Sequence, residues 1–248
     1  MLITTKGIVI RERSSGENGK YIDILTEKLG LIEVLAKGSK KITSKSFSSS
    51  QLFAYSTFCL NEQKNKFYIN TAVPVNIFYP IREDVEKLAL AVYLCDLIRY
   101  ASSDTNEAPE LLKLILISLH NIAKNDADID FIKSVFEFRF MSEIGFYPNL
   151  NGCCVCGNIQ TENYRFSIAN ASLYCENCVY EENLKPISSA ALKAMSYVAN
   201  CETEKLFSFK LKGESKKQFY IIAQQYVLTH MEAHFYSLDY YYKLKGQI

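Results

Sequence analysis

The chain has 248 residues, 48% of them hydrophobic, and a formal net charge of +1 at pH 7, which indicates a globular protein of one large or two to three small domains. No apolar run approaches about eighteen residues, the length that a membrane span needs, and the N-terminal segment MLITTKGIVIRER lacks the apolar core and cleavage site of a signal peptide. We therefore expect a cytoplasmic protein without a membrane partner.

The charge is unevenly distributed along the chain. Residues 1–80 contain eleven Lys/Arg against six Asp/Glu, whereas residues 81–150 contain seven against twelve. No acidic residue lies between Glu33 and Glu62, a gap that holds four lysines. A basic stripe on one domain is typical of proteins that bind the negatively charged backbone of nucleic acid. A solvated lysine-rich loop has the same composition.

Residues 1–80 contain five short segments with strand character. The first alternates around IVI at residues 2–13, and the turn-forming cluster SSGENG separates it from KYIDILTE and LIEVLAK. The last two, QLFAYSTFCL and KFYINTAVPV, are joined by the polar turn NEQKN. Closely spaced strands with no helix between the first three predict a small antiparallel barrel, and the five-stranded oligonucleotide-binding (OB) fold is the expected type.

Barrels of this type bind single strands by combining a cationic groove with aromatic stacking platforms. Aromatic residues such as Tyr21, Phe58 and Tyr68 could supply the platforms, although core packing is their commoner role. The candidate DNA-binding cations are Arg11, Arg13, Lys20, Lys37, Lys40, Lys41 and Lys45.

The hydrophobic period changes after Pro80. Apolar residues recur at spacings of three and four, which predicts helices over residues 82–100, 107–124 and 130–145 that form an acidic bundle. Two further helices are predicted at residues 188–200 and, as one long helix, from Glu214 to Leu244. The predicted fold class is α+β, with an OB domain at residues 1–80, a helical domain at 81–248 and a module inserted at 145–185.

That module contains two Cys-x-x-Cys pairs, Cys153/Cys156 and Cys175/Cys178, with eighteen residues between the inner cysteines. This spacing is typical of a four-thiolate zinc site, in which two tight turns complete a tetrahedron. Disulfides, a redox dithiol or buried cysteines are the alternatives, but a disulfide framework belongs to short secreted chains and a redox pair stands alone. Four thiolates close the coordination shell, so we predict one structural Zn²⁺, with Cys154 as a spare thiol beside it.

Two other patterns are not expected to form sites. His230 and His234 are four residues apart on the last predicted helix, but Glu232 is misplaced for the His-Glu-x-x-His signature. The segment KGESKK lacks the glycine and Ser/Thr positions of a Walker A loop. The sequence therefore predicts no catalytic residue and no bound nucleotide.

The order of basic barrel, helices, four-cysteine finger and returning helices resembles the RecO family of bacterial recombination mediators. The resemblance spans essentially the whole chain. It is carried by KGIVI near the start, GENGKYIDILTEKLG at 16–30, AKGSKK at 36–41, SQLFAYSTFCL at 50–60, GFYPNLNGCCVCG at 145–157, YCENC and HMEAHFYSLDYY.

This resemblance implies a protein that is not an enzyme. It would bind single- and double-stranded DNA, anneal complementary strands and act with RecR and the single-stranded DNA-binding protein to load recombinase at the bacterial nucleoid. The basic residues that follow the third strand in the family match Lys37, Lys40 and Lys41, lysines where many relatives carry arginine. Some relatives lack the cysteines, which favours a stabilising role for zinc.

Two other function classes compete with this one. The first is a zinc-finger adaptor that binds only protein partners and has no DNA-binding role of its own. The second is a zinc-ribbon enzyme that acts on nucleic acid, which would need a carboxylate or histidine constellation in a cleft. Neither the three histidines nor the scattered acidic residues supply one by sequence.

Overall fold

A computed structural model describes residues 1–15, 19–37, 46–101, 109–159, 163–179 and 183–246 of the chain. The chain divides into two compact units, Met1–Ala127 with Phe235–Ile248, and Asp128–His234. None of the helices in the described ranges is long and apolar enough to cross a membrane.

The first unit contains the predicted five-stranded barrel. Its strands close in the order β1-β2-β3-β5-β4, and β3 and β5 meet through a short parallel pairing at Val34 and Phe67. This closed five-stranded arrangement confirms the predicted OB-type barrel. The strands are β1 (Leu2–Ser15), β2 (Gly19–Thr26), β3 (Gly30–Ala36), β4 (Tyr55–Gln63) and β5 (Lys66–Asn76).

Side-chain alternation along the strands builds the barrel core. Successive side chains of a strand point to opposite faces, so every second residue can be apolar and buried. Phe58 and Leu60 of β4, for example, have no solvent-exposed surface. The buried core cluster consists of Val9, Ile22, Ile24, Val34, Ala36, Phe58 and Leu60.

A β-bulge in β1 changes which side chains face outward. Val9 pairs with Ile24 of β2, but the next paired residue is Arg11, opposite Asp23, so Ile10 is an extra residue in β1. An extra residue in one strand reverses the alternation beyond it. Without the bulge Arg11 would share a face with Val9 and point into the core; with it, Arg11 lies on the outer face.

The described residues of the first unit also form three α-helices. α1 begins where the Asp84 carboxylate accepts hydrogen bonds from the backbone N–H groups of Glu86 and Lys87, at 3.0 and 3.1 Å, which satisfies otherwise unpaired donors. The second helix begins at Pro109, a residue suited to the first helical turn. The bounds are α1 (Val85–Ala101), α2 (Pro109–Ile122) and α6 (Tyr236–Leu244).

The second unit combines three helices with a small sheet. Asp128 caps its first helix by accepting a hydrogen bond from the Phe131 N–H at 3.2 Å, and it also forms an ion pair with Lys216 at 2.6 Å. The four strands pair in the order β6-β8-β7-β9. The bounds are α3 (Ile129–Glu143), α4 (Ser189–Asn200), α5 (Gly213–Met231), β6 (Asn149–Cys153), β7 (Tyr164–Ser167), β8 (Ser172–Cys175) and β9 (Lys185–Ile187).

The helices predicted to form one acidic bundle are divided between the units, because α1 and α2 belong to the first and α3 to the second. The predicted domain boundary near residue 80 stays a prediction. The barrel strands end at Asn76, whereas the compact unit that contains them continues to Ala127.

The prediction of one continuous helix from Glu214 to Leu244 is wrong. α5 ends at Met231, Glu232 takes a left-handed φ of 48°, and α6 begins at Tyr236. Phe235 directly precedes α6, and only 7% of its surface is exposed because the edge of its ring packs against Tyr93 in the same unit. Burying a phenylalanine contributes about 1.5–3 kcal/mol, which offsets the roughly 1–2 kcal/mol cost of one left-handed residue. With neither Gly nor Pro at the break, the sequence does not reveal it.

Gly7 lies at the closest approach of β1 to β2. A Cβ atom there would lie 2.7 Å from Ile24 Cγ2 and 2.8 Å from the Leu25 carbonyl oxygen. We expect Gly7→Ala to lower the free energy of unfolding by about 1–3 kcal/mol, because a backbone oxygen cannot yield as a side chain can. Urea denaturation followed by circular dichroism measures the loss. The control Lys6→Ala, at the neighbouring exposed position, should change it by less than about 0.5 kcal/mol; equal effects would contradict the close-approach argument.

Candidate metal centre and nucleic-acid interface

The structure brings the four predicted cysteine ligands together. The sulfur atoms of Cys153, Cys156, Cys175 and Cys178 all lie within 4.8 Å of one another. Cys153 ends β6 and Cys175 ends β8, and these two strands run parallel. Both Cys-x-x-Cys turns, which we call the two knuckles, therefore lie at the same edge of the sheet. The thiols of Cys153, Cys175 and Cys178 are buried, while Cys156 is exposed.

Backbone geometry shapes the first knuckle. The Gly157 N–H donates to the Cys153 carbonyl at 2.9 Å, and the Cys153 N–H donates to the Asn158 carbonyl at 2.9 Å. Gly152 has φ +146°, and a Cβ atom there would lie 2.8 Å from Ile159 Cγ2. Gly157 has φ +70°, a left-handed conformation that favours glycine. The glycines that flank this pair in the sequence are therefore required by the turn.

The donor set fits a tetrahedral metal ion. Four thiolates at about 2.3 Å from Zn²⁺ would lie about 3.8 Å apart, and the Cys156 and Cys175 sulfurs are 3.7 Å apart. Burial raises the pKa of Cys153, but hydrogen bonds from backbone N–H groups outweigh it and lower that pKa to about 6. Burial and contact with the other thiols raise the pKa of Cys178 to about 12. Without a metal ion, the four thiols therefore do not all lose their protons in the same pH range. A bound metal ion would hold all four groups as thiolates.

The remaining cysteine of the module and the two spaced histidines lie outside this cluster. Cys154 is exposed, and its sulfur does not belong to the group of four. His230 Nε2 makes a 2.8 Å hydrogen bond with the Ile168 carbonyl, and its ring packs against Phe146 and Tyr226. His230 thus has a structural role in the described part of the second unit.

The outer face of the barrel brings together three of the predicted DNA-binding cations. Arg13, Tyr21, Leu35 and Tyr68 form one row across β1, β2, β3 and β5, because each is the register partner of the next. The guanidinium carbon of Arg13 lies 6.0 Å from the centre of the Tyr21 ring, and Lys37 Nζ lies 5.0 Å from that of Tyr68. We call the surface formed by Arg11, Arg13, Tyr21, Lys37 and Tyr68 the outer barrel face.

Carboxylates compensate part of the charge on this face. Asp23, which is mostly buried, accepts a 3.3 Å hydrogen bond from Arg13 and lies 4.0 Å from Arg11. Glu33 accepts a second hydrogen bond from Arg13, which raises the pKa of that arginine. Among the described residues, no carboxylate lies within 4 Å of Lys37 Nζ. Of the three cations on this face, Lys37 is therefore the one without an ion-pair partner among the described carboxylates.

The other predicted cations lie elsewhere. Lys20 is the register partner of Ser14 and lies on the core-facing side of the sheet, at one end of the barrel. Only 9% of its surface is exposed, and its Nζ forms an ion pair with Glu12 at 2.5 Å. Lys40, Lys41 and Lys45 fall outside the described residues. Sequence reasoning missed Arg99 in the last turn of α1, which lies 3.6 Å from Asp23. The hydrophobic periodicity of the α1 sequence predicts a helix but does not indicate that Arg99 contacts the barrel.

Both parts of the chain match models of one protein family. Residues 1–78 match the model described as Recombination protein O N terminal, and residues 82–239 match Recombination protein O C terminal. The chain is 30% identical to proteins named "DNA repair protein RecO" from Acetivibrio thermocellus (96% of this chain, 95% of the relative) and Alkaliphilus metalliredigens (96% and 98%). It is 29% identical to the protein of that name from Bacillus pumilus, over 91% of this chain and 88% of the relative.

The cysteine cluster predicts which thiols hold a metal. We expect the purified chain to contain one metal ion, and Cys175→Ser to lose it, because a neutral hydroxyl replaces a thiolate ligand. Elemental analysis by mass spectrometry measures the metal content of each variant. The matched control Cys154→Ser should keep the metal, since its sulfur lies outside the cluster. Loss of metal from Cys154→Ser, with retention in Cys175→Ser, would contradict the assignment.

Proposed function

Because this chain belongs to the RecO family of DNA repair proteins, we propose that it acts as a recombination mediator that binds single- and double-stranded DNA through its barrel. The observation that carries this proposal is the outer barrel face, where two tyrosine rings each lie next to a cation. Stacking platforms beside cationic groups are what single-strand binding requires. Arg11, Arg13 and Lys37 are the described residues that we propose to contact phosphate, with Lys20, Lys40, Lys41 and Lys45 as further candidates.

The composition of this face suits strand annealing. Two complementary strands pair only if their phosphate repulsion is relieved while their bases stay accessible. Of the three cations, Lys37 offers a compact point charge rather than a bidentate fork, and it reads no base. We infer that binding has weak sequence preference and that the protein anneals strands without consuming a nucleotide.

We propose that the metal is one Zn²⁺ and that its role is structural. Cys153, Cys156, Cys175 and Cys178 would hold it, and four thiolates leave no open position for a substrate or water. When bound, the ion would supply only cross-linking of the two knuckles. This is consistent with a protein that is not an enzyme.

Membership of the family supports a proposal for the cellular role. We propose that the chain works in the bacterial cytoplasm, at the nucleoid, with RecR and the single-stranded DNA-binding protein, and that it helps to load recombinase onto coated DNA. A second candidate function is a zinc-finger adaptor that binds only proteins. The solvent-exposed position of Cys156 at the metal cluster is compatible with such contacts.

DNA affinity should depend on the outer barrel face. We expect Tyr68→Leu to weaken single-strand binding about tenfold, since stacking contributes about 1–3 kcal/mol per base. Lys37→Gln should lower the slope of log affinity against log salt by about 0.7, the contribution of one phosphate contact. Fluorescence anisotropy with a labelled oligonucleotide at several salt concentrations measures both quantities.

The control for these variants is Lys113→Gln, which removes one exposed lysine of α2 from the same compact unit. It should leave the affinity and the salt slope nearly unchanged. If Tyr68→Leu and Lys37→Gln matched this control, the outer barrel face would not be the binding surface.

Annealing of complementary oligonucleotides separates the mediator from the adaptor. We expect the protein to accelerate duplex formation without ATP, both on bare strands and on strands coated with the single-stranded DNA-binding protein. The adaptor predicts no acceleration and no gel retardation even at low salt. A positive retardation with no annealing would leave DNA binding intact and overturn only the annealing step.

A further inference from the structure

A cavity of about 600 Å³ lies at one end of the barrel, within the first compact unit. This volume lies in the range of small-ligand pockets, about 300–1,000 Å³. Its charged lining residues are three cations and one carboxylate: Arg13, Lys20, Arg82 and Glu12. Arg13 is already paired with Asp23 and Glu33, and Lys20 with Glu12, so the positive charge that the lining leaves uncompensated lies on Arg82.

Arg82 is the central cation of this cavity. Its guanidinium donates hydrogen bonds to the Gln51 side-chain oxygen and to the Leu52 carbonyl, both of which are neutral acceptors. Burial lowers the pKa of Arg82, as expected for a guanidinium partly withdrawn from water. Within the described ranges, no carboxylate lies within 4 Å of it. Two neutral acceptors fix the orientation of the group without cancelling its charge.

Lys20 adds a second, largely buried cation. Only 9% of its surface is exposed, and its Nζ is held by Glu12 at 2.5 Å. A guanidinium has five N–H donors and an ammonium has three, so the contacts to Gln51, Leu52 and Glu12 leave donors of both groups unused. Unused donors on two cations that line one cavity are suited to an oxyanion that accepts several hydrogen bonds at once.

The geometry points to a binding site for a phosphomonoester in this cavity, with Arg82 and Lys20 as its anchoring residues. A terminal phosphate offers three acceptor oxygens, more than the two non-bridging oxygens of a phosphodiester, and so can use more of the free donors of Arg82 and Lys20. Arg13 lines the cavity and also belongs to the outer barrel face. A strand lying on that face would therefore have the cavity beside it, and the 5′-phosphate of a DNA strand is the source we infer; this last step rests on the proposed function.

Two ligand pairs test the site. The first pair is thymidine 5′-monophosphate against thymidine, measured by calorimetry, and it probes the cavity without any strand. The second pair is an oligothymidylate with a 5′-phosphate against the same oligonucleotide with a 5′-hydroxyl, measured by anisotropy. We expect the phosphorylated member of each pair to bind at least about tenfold more tightly, which corresponds to about 1.4 kcal/mol.

Arg82→Gln and Lys20→Met should each abolish the preference for phosphate. Lys20→Met retains most of the buried side-chain volume, so it keeps the test valid if loss of the Arg82 hydrogen bonds unfolds the first variant. Lys113→Gln is again the matched control and should keep the preference.

The outcomes separate this site from the proposed function. Equal affinity within both ligand pairs, with strand binding intact, would overturn the phosphate site and leave the proposed function standing. Phosphate-dependent binding of the mononucleotide that is lost in Lys20→Met, with no oligonucleotide binding, would support the site and overturn the proposed function. A preference in the first pair alone, with both oligonucleotides bound equally, would assign the site to a free nucleotide phosphate.

Discussion

The alternation of side chains across the barrel wall is the constraint on which the first unit depends. Each strand must present one face to the core, and a change of one residue in phase would bury charge. The bulge at Ile10 makes that change at the point where β1 leaves the hydrophobic core. Before it, Val9 belongs to the core; after it, Arg11 and Arg13 face outward. Because of this single extra residue, one strand contributes Val9 to the core and then places Arg11 and Arg13 on the charged surface.

This bulge also explains how far the sequence could predict the site. The strands, the helices except at Glu232, and the four cysteine ligands follow from periodicity and spacing, which are local properties of the chain. Which cations share a face is different, because it depends on cross-strand register. Arg11 and Arg13 lie on the outer barrel face because of the bulge in β1. Lys37 lies next to Tyr68 because β3 and β5 pair in parallel, whereas Lys20 is not part of this face. No sequence pattern marks these relations, and the same holds for the turn at Glu232, where burial of Phe235 overrides helical propensity.

The cluster of four cysteines in the second unit bears on the stability of its small sheet. Its sheet consists of strands of only three to five residues, so few backbone hydrogen bonds join each pair of strands, and packing against a helix adds stability. One side of this sheet gains support from α5, because the Phe166 ring packs against Tyr226 and the Ile168 carbonyl makes a hydrogen bond with His230. The ends of β6 and β8 also have to be held together. The four thiols lie at these strand ends, so a metal ion bound by them would join the two strands. Binding free energy at such a site is folding free energy.

The ion pairs on the outer barrel face bear on how a strand would be held there. A phosphate that approaches Arg13 has to compete with Glu33 and Asp23, so part of the Coulomb energy gained is offset by the contacts that are lost. Lys37 has no such competitor among the described carboxylates, and its partner is the face of the Tyr68 ring, which a base could share by stacking. The net attraction per phosphate is consequently modest and is screened by salt. A surface of that strength would suit the strand annealing that we propose, because a fully uncompensated arginine face would retain the duplex product as firmly as the single strands.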